Sequence, residues 1–202
     1  LQIQARVASQ WVQTVKPGHY KHPFDGVSYF EEVRKAMAML AENKNTLFIG
    51  QSVAYESNAM FRTLEWEGGE PIVPMDRRIE LPVIEDFQMG VSIGMALEGF
   101  IPVSIFPRWD FLLLAANQLV NHLDKITDLD PKVIIRTSVG ASFPFSSGLQ
   151  QSGDYTAAFR LMLKRVEVIE LNSMYDVVKS YRHALECDHS CLVVERQDLY
   201  NT

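Results

Sequence analysis

The chain has 202 residues, 47% of them hydrophobic and 22% charged, and a formal charge of −6 at pH 7. That is enough chain for one α/β domain whose core needs neither a disulfide framework nor a structural metal. The acidic balance argues against a general phosphate-binding surface for nucleic acid, no run is long and apolar enough to cross a bilayer, and the two cysteines fit a reducing cytoplasm better than a secreted scaffold.

Residues 1–27 are the least regular part and read as an N-terminal arm before a single domain over 28–202. Leu1 to Gln13 is amphipathic and lacks the layout of a signal peptide; because the first residue is not Met, the natural start is expected to be missing or processed. The turn-rich stretch Pro17 to Pro23 carries His19 and His22, read as solvated or partner-contacting rather than catalytic. Ser28, with Glu31 three residues on, predicts an N-cap, and Phe30, Val33, Met37 and Leu40 carry the helical period behind it. Leu47 to Ile49 predicts a short strand ending at Gly50, Ser57 to Leu64 a short helix, and Thr63 to Arg77 a loop. Ile79 to Ile84 reads as extended despite Pro82, Asp86 to Leu97 as a helix closed by Gly99, and Ile101 to Phe106 as a strand. Phe111 to Ile126 predicts one long helix, Lys132 to Thr137 a strand, and Ser138 to Gly153 a loop rich in Gly, Ser and Pro. Tyr155 to Leu163 and Met174 to Leu185 predict helices, Val166 to Leu171 and Cys191 to Glu195 strands. Cys187, His189 and Cys191, with His183 a helical turn earlier, could be read as a metal cluster. Cys-x-x-x-Cys without a second pair is a weak zinc signal, so a loop leading into a buried strand is the reading adopted, and no metal site is expected.

Alternating helices with continuous apolar strands predict an α/β fold, a mostly parallel sheet with helices on both faces. Ligands of such sheets sit outside the carboxyl ends of the strands, which directs attention to the loops after Ile49, Ile84, Ile105 and Thr137. Glu85 lies at one of these ends and also opens a helix.

Five stretches in order carry a family pattern. Gly50-Gln51-Ser52-Val53-Ala54 with Phe61-Arg62-Thr63 resembles the Gly-Glu-x-Val-Ala segment in the β subunits of pyruvate and branched-chain 2-oxoacid dehydrogenases. Arg78-Ile79-Glu80-Leu81-Pro82-Val83-Ile84-Glu85 resembles the segment that delivers the coenzyme-binding glutamate, and Gly90 to Val103 the helix-turn-strand after it. Asn117-Gln118-Leu119-Val120-Asn121 with Lys125, and Val194-Glu195-Arg196-Gln197-Asp198-Leu199-Tyr200, are similar to later stretches of the same family. Each motif alone is weak; their order and spacing over about residues 28–200 are specific. The chain thus resembles the pyrimidine-binding domain of thiamine-diphosphate enzymes, the family of transketolase and the 2-oxoacid dehydrogenase β subunits.

The resemblance implies a role for each residue of the pattern. Glu85 would be the catalytic carboxyl, hydrogen-bonding a ring nitrogen of the aminopyrimidine so that its imino tautomer activates the thiazolium carbon. Val83, Gln51, Phe111 and Trp109 would contact the coenzyme, Phe111 as the stacking aromatic, while Arg108, Gln150 and Gln151 would face the substrate. Read without the pattern, Glu85 is a first-turn charge, Phe111 opens the core face of its helix, and Arg108 is solvated. Two departures matter. The Gln-His-Ser-Gln stretch of the dehydrogenases is here Gly148-Leu149-Gln150-Gln151-Ser152-Gly153-Asp154, with no histidine, and Gln51 stands where the family carries an acid. No Gly-Asp-Gly occurs, the motif that binds diphosphate through Mg²⁺ on another domain. The implied function is the pyrimidine-domain subunit of a split thiamine-diphosphate enzyme that makes or breaks a carbon–carbon bond. A separate diphosphate-binding subunit would hold most of the Mg²⁺ site, with homodimers in an α2β2 assembly and neither nucleic acid nor membrane as partner. The alternative is a non-catalytic regulatory or assembly subunit that keeps the fold and dimer interface.

Overall fold

The computed structural model describes residues 28–56, 58–141, 146 and 148–201. The N-terminal arm, with His19 and His22, and residues 142–145 of the glycine-rich loop lie outside the described residues.

Six strands form one sheet in which every pairing is parallel: β1 (Thr46–Gly50), β2 (Arg78–Glu80), β3 (Ile101–Ile105), β4 (Ile134–Val139), β5 (Glu167–Glu170) and β6 (Cys191–Arg196), in the order β2-β1-β3-β4-β6-β5. A parallel sheet needs both faces covered, because its strands are apolar on both sides. One face carries α1 (Tyr29–Glu42) and α6 (Met174–Glu186), packed on each other and on Phe48, Val103, Ile134 and Val193. The short α2 (Ala59–Arg62) adds Met60 to that side. The other face carries α3 (Glu85–Leu97), α4 (Trp109–Leu112) with the helical turns that continue it, and α5 (Thr156–Met162), over Ile135, Leu192 and Val194.

Local signals set the ends of these elements. The Ser28 hydroxyl accepts the Glu31 N–H at 3.2 Å, the predicted cap of α1. Asn58 caps α2 by accepting from the Phe61 N–H at 3.0 Å, and Gly99, at φ 88°, ends α3 where a left-handed residue is needed. Between α2 and β2 the chain is irregular, as expected of Thr63 to Arg77, and the buried Arg78 guanidinium organises it by donating to the carbonyls of Leu64 and Val73 at 2.8 Å.

Two expected elements take different forms. Extended structure over Ile79 to Ile84 shrinks to Arg78–Glu80, since Pro82 cannot donate to a ladder and Val83 turns outward, 69% exposed. The helix expected over Phe111 to Ile126 starts earlier, at Trp109, and changes pitch: an α turn, a 3-10 turn over Leu113–Ala115, a π turn over Gln118–His122 and a 3-10 turn over Leu123–Lys125. Ala115, Leu119 and Leu123, spaced four apart along this run, are all buried. Asp124 closes the run by accepting the backbone N–H groups of Lys164, Arg165 and Val166 at 2.8–3.0 Å.

A buried ion pair sits in the sheet. The Arg136 and Glu195 side chains are both fully buried, and Arg136 Nε and Nη2 donate to the two Glu195 oxygens at 2.5 and 3.0 Å. The Tyr181 and Tyr200 hydroxyls donate to the same carboxylate, and Thr63 Oγ1 accepts from Arg136 Nη2 at 2.8 Å. Burial, and then the Glu195 charge, hold both tyrosines well above the ordinary phenol pKa. Burial opposes the charge on Arg136, but Glu195 outweighs it and the guanidinium stays protonated. We expect Arg136→Met, which strands the carboxylate, to cost about 3–5 kcal/mol in denaturant unfolding, and the double change Arg136→Met/Glu195→Leu to cost less than that single change. A double mutant less stable than Arg136→Met would show that the stranded carboxylate is not what makes the single change costly.

Candidate functional site

The site is assembled where the carboxyl ends of β1 and β3 meet the start of α3. Gly50 ends β1 against Ile105: a Cβ there would fall 2.4 Å from the Ile105 carbonyl oxygen, so only glycine permits the approach. Gln88, one turn into α3, locks the helix to both strands, its amide donating to the Ile105 carbonyl at 3.0 Å and to Ser104 Oγ at 3.1 Å. The turn after Gly50 is held from β2. The Glu80 carboxylate accepts three successive backbone N–H groups, from Ser52 at 2.6 Å and from Val53 and Ala54 at 2.8 Å, and Ser52 takes the left-handed conformation that makes this possible.

This framework aims Gln51 at Glu85. The Gln51 amide donates to Glu85 Oε1 at 2.8 Å. Glu85 is only 3% exposed, and its second oxygen takes no hydrogen bond among the described residues. A buried carboxylate with one oxygen held and the other uncommitted is the arrangement expected of a group that bonds something from outside the chain.

Gln51, but not Glu85, lines a cleft of about 300 Å³, together with Ser52, Asn58, Ala59, Pro107, Arg108, Phe111, Gln151 and Gln197. Arg108 is steadied by Gln197, Nη1 to Oε1 at 2.8 Å, and Gln197 donates to Ser138 Oγ at 2.8 Å. Burial pulls the Arg108 guanidinium below its ordinary pKa, with Asp110 partly offsetting the effect. Gly140 lets the far wall close: a Cβ there would fall 2.3 Å from the Gln151 carbonyl oxygen and 2.7 Å from Arg108 Nη1.

The residues singled out in sequence divide into two groups. Gln51, Arg108, Phe111 and Gln151 line the cleft, with Glu85 directly behind Gln51. Trp109 does not join them: its ring is fully buried, 4.9 Å from Phe159 between centroids, and belongs to the core under α5. Val83 points outward beside the exposed Ile84 and Phe87, and Gln150 is exposed beyond the cleft lining. Asn58, Pro107 and Gln197 are cleft residues that the sequence reading left without a role. Gln197 sits inside one of the matched stretches, and Asn58 carries an N-cap signature; neither signal points to a cleft by itself.

No protein-family model matches the chain. It is 26% identical over 167 residues to the 3-methyl-2-oxobutanoate dehydrogenase subunit beta of Mycobacterium tuberculosis, covering 80% of this chain and 46% of that subunit. It is 33% identical over 104 residues to the mitochondrial 2-oxoisovalerate dehydrogenase subunit beta of Chaetomium thermophilum, covering 49% of this chain and 20% of that one. In fold it matches a solved split-gene transketolase, an inactive β4 tetramer, with a TM-score of 0.63 at 17% identity over 86% of this chain and 52% of that one. The chain therefore spans about half the length of the relatives that it matches along most of its own. The chain is thus similar in sequence to part of the 2-oxoacid dehydrogenase β subunits and in fold to the split-gene transketolase, consistent with the pyrimidine-binding domain of thiamine-diphosphate enzymes.

Proposed function

We propose that this chain is the pyrimidine-domain subunit of a split thiamine-diphosphate enzyme, and that Glu85 is the carboxyl that activates the coenzyme. The observation that carries the reading is Glu85 itself: buried, opening α3, one oxygen held by Gln51 and the other unengaged among the described residues. The donor set fits an aminopyrimidine. Glu85 offers a carboxyl to a ring nitrogen, Phe111 offers an aromatic face, and the backbone around Gln51 and Ser52 offers polar groups at the ring edge. When bound, the coenzyme would supply a nucleophilic carbon and an electron sink for bond cleavage beside a carbonyl. This chain's own work would be to hold or release a proton at Glu85 Oε2, to fix the carboxyl's orientation through Gln51, and to place the Arg108 cation toward an anionic substrate.

The diphosphate and its Mg²⁺ need groups that this sequence lacks, so a second chain carrying a Gly-Asp-Gly stretch would complete the site. The apolar surface beside Glu85 supports an assembly: Val83, Ile84 and Phe87 are exposed at the start of α3, and Leu113 and Leu114 are exposed on the run that packs against it. As the family resemblance implies, this chain would form a homodimer inside an α2β2 complex. A transketolase-like and a 2-oxoacid decarboxylase-like or dehydrogenase-like reaction share this half-site.

One observation favours the alternative of a regulatory or assembly subunit. Four of the polar side chains in the cleft, Gln51, Asn58, Gln151 and Gln197, are amides, which neither give nor take protons. Turnover decides between the two. In the assembled complex, Glu85→Gln should lower kcat by roughly 10²–10⁴-fold while the chain unfolds at nearly the same temperature. Unchanged turnover would remove Glu85 from catalysis and leave the regulatory reading. Phe111→Ala should mainly weaken the coenzyme, raising its apparent Kd by about five- to tenfold, as expected for a stacking loss of about 1 kcal/mol. Coenzyme affinity insensitive to Phe111 would place the pyrimidine elsewhere.

A further inference from the structure

At the opposite end of the sheet, away from the cleft, the amino ends of β5 and β6 meet the last turn of α6. The parallel register sets Glu167 beside Cys191, and α6 brings His183 and Cys187 over them. His189 approaches from the loop that enters β6. The ligand atoms of His183, Cys187 and His189 lie within 4.8 Å of one another, as do those of Glu167, His189 and Cys191. The two sulfurs that join these triads are 3.5 Å apart, and both are free thiols.

We propose that this cluster is a site for one thiophilic divalent cation of the zinc class, held by Cys187, Cys191 and His189, with the fourth ligand from His183 or Glu167. Several features fit a metal better than an ordinary surface network. Two sulfurs on a tetrahedral zinc stand roughly 3.8 Å apart, given a Zn–S length of about 2.3 Å, close to the observed spacing. A disulfide would require the sulfurs to close to about 2.0 Å. The Asp188 carboxylate bonds His189 Nδ1 at 3.0 Å and leaves Nε2 facing the cluster, the arrangement by which a second carboxylate orients a metal-binding imidazole. His183 Nε2 and His189 Nε2 both converge on one Glu167 oxygen, at 2.7 and 2.9 Å, so three ligand atoms already point at one another.

Binding would release the two thiol protons to solvent and leave the sulfurs as thiolates on the metal. Its structural consequence would be a clip that ties the end of α6 to the start of β6, and also to the edge strand β5 where Glu167 is the fourth ligand. The spacing of the cysteines alone hides this, because Glu167 enters from a different element, 22 residues from His189.

The test is a cobalt and zinc titration of the full chain, kept reduced and freed of metal with a chelator. We expect one equivalent of Co²⁺, a thiolate-to-cobalt charge-transfer band, and displacement by Zn²⁺. Cys187→Ser and His189→Asn should each weaken Zn²⁺ at least tenfold. Asp188→Asn should weaken it by roughly tenfold through the imidazole it orients. One of His183→Gln and Glu167→Gln should weaken it as well, which identifies the fourth ligand. The variants' circular dichroism without metal should match that of the parent, so that lost binding is not lost folding. No stoichiometric uptake, uptake without the thiolate band, uptake unchanged by Cys187→Ser and His189→Asn, or uptake indifferent to both His183→Gln and Glu167→Gln would each overturn the proposal.

Discussion

The charge pair of Arg136 and Glu195 is the interaction on which the rest of the sheet is hung. It joins neighbouring strands, β4 and β6, and through the two tyrosine hydroxyls it collects α6 and the end of the chain on a single carboxylate. Thr63, just past α2, is drawn in from the loop side. Burying two charges is expensive in isolation, and the attraction repays it only where further hydrogen bonds satisfy what is left over. Here the carboxylate receives four donors from three side chains. Such a network has one good arrangement and many poor ones, so it fixes register and helix placement more strongly than interchangeable apolar contacts can.

From that centre, order extends to the site by a chain of smaller constraints, most of them backbone-directed. Glu80 fixes the turn after β1, Gly50 permits β1 and β3 to close together, and Gln88 pins α3 to their ends. Only after these do Gln51 and Glu85 have a defined relation. Each supporting residue is remote from chemistry in the ordinary sense, yet a shift of any of them would move the carboxyl. A carboxyl backed in this way is held in one orientation before anything binds to it.

Much of this was legible in the sequence, for physical reasons that can be named. Ser28 and Gly99 mark helix ends because unpaired backbone groups and a left-handed turn demand such residues. The parallel sheet follows from apolar runs that alternate with amphipathic ones. Glu85 was found by its place in a motif, and the structure adds its burial and its partner. What could not be read is long-range. The π turn after α4 depends on which leucines the core can accept, and the burial of Trp109 depends on Phe159, about fifty residues on and on another element. Glu80 looks like any strand carboxylate until three backbone N–H groups converge on it.

The Gln51–Glu85 contact has a directional consequence. Two carboxyls in hydrogen-bond contact would share a proton, and the sense of their bond would reverse as that proton moved. An amide cannot do this, since its nitrogen donates at every pH at which the protein is folded. The bond between Gln51 and Glu85 therefore runs one way only. The Gln51 amide closes its side of the carboxyl to proton exchange.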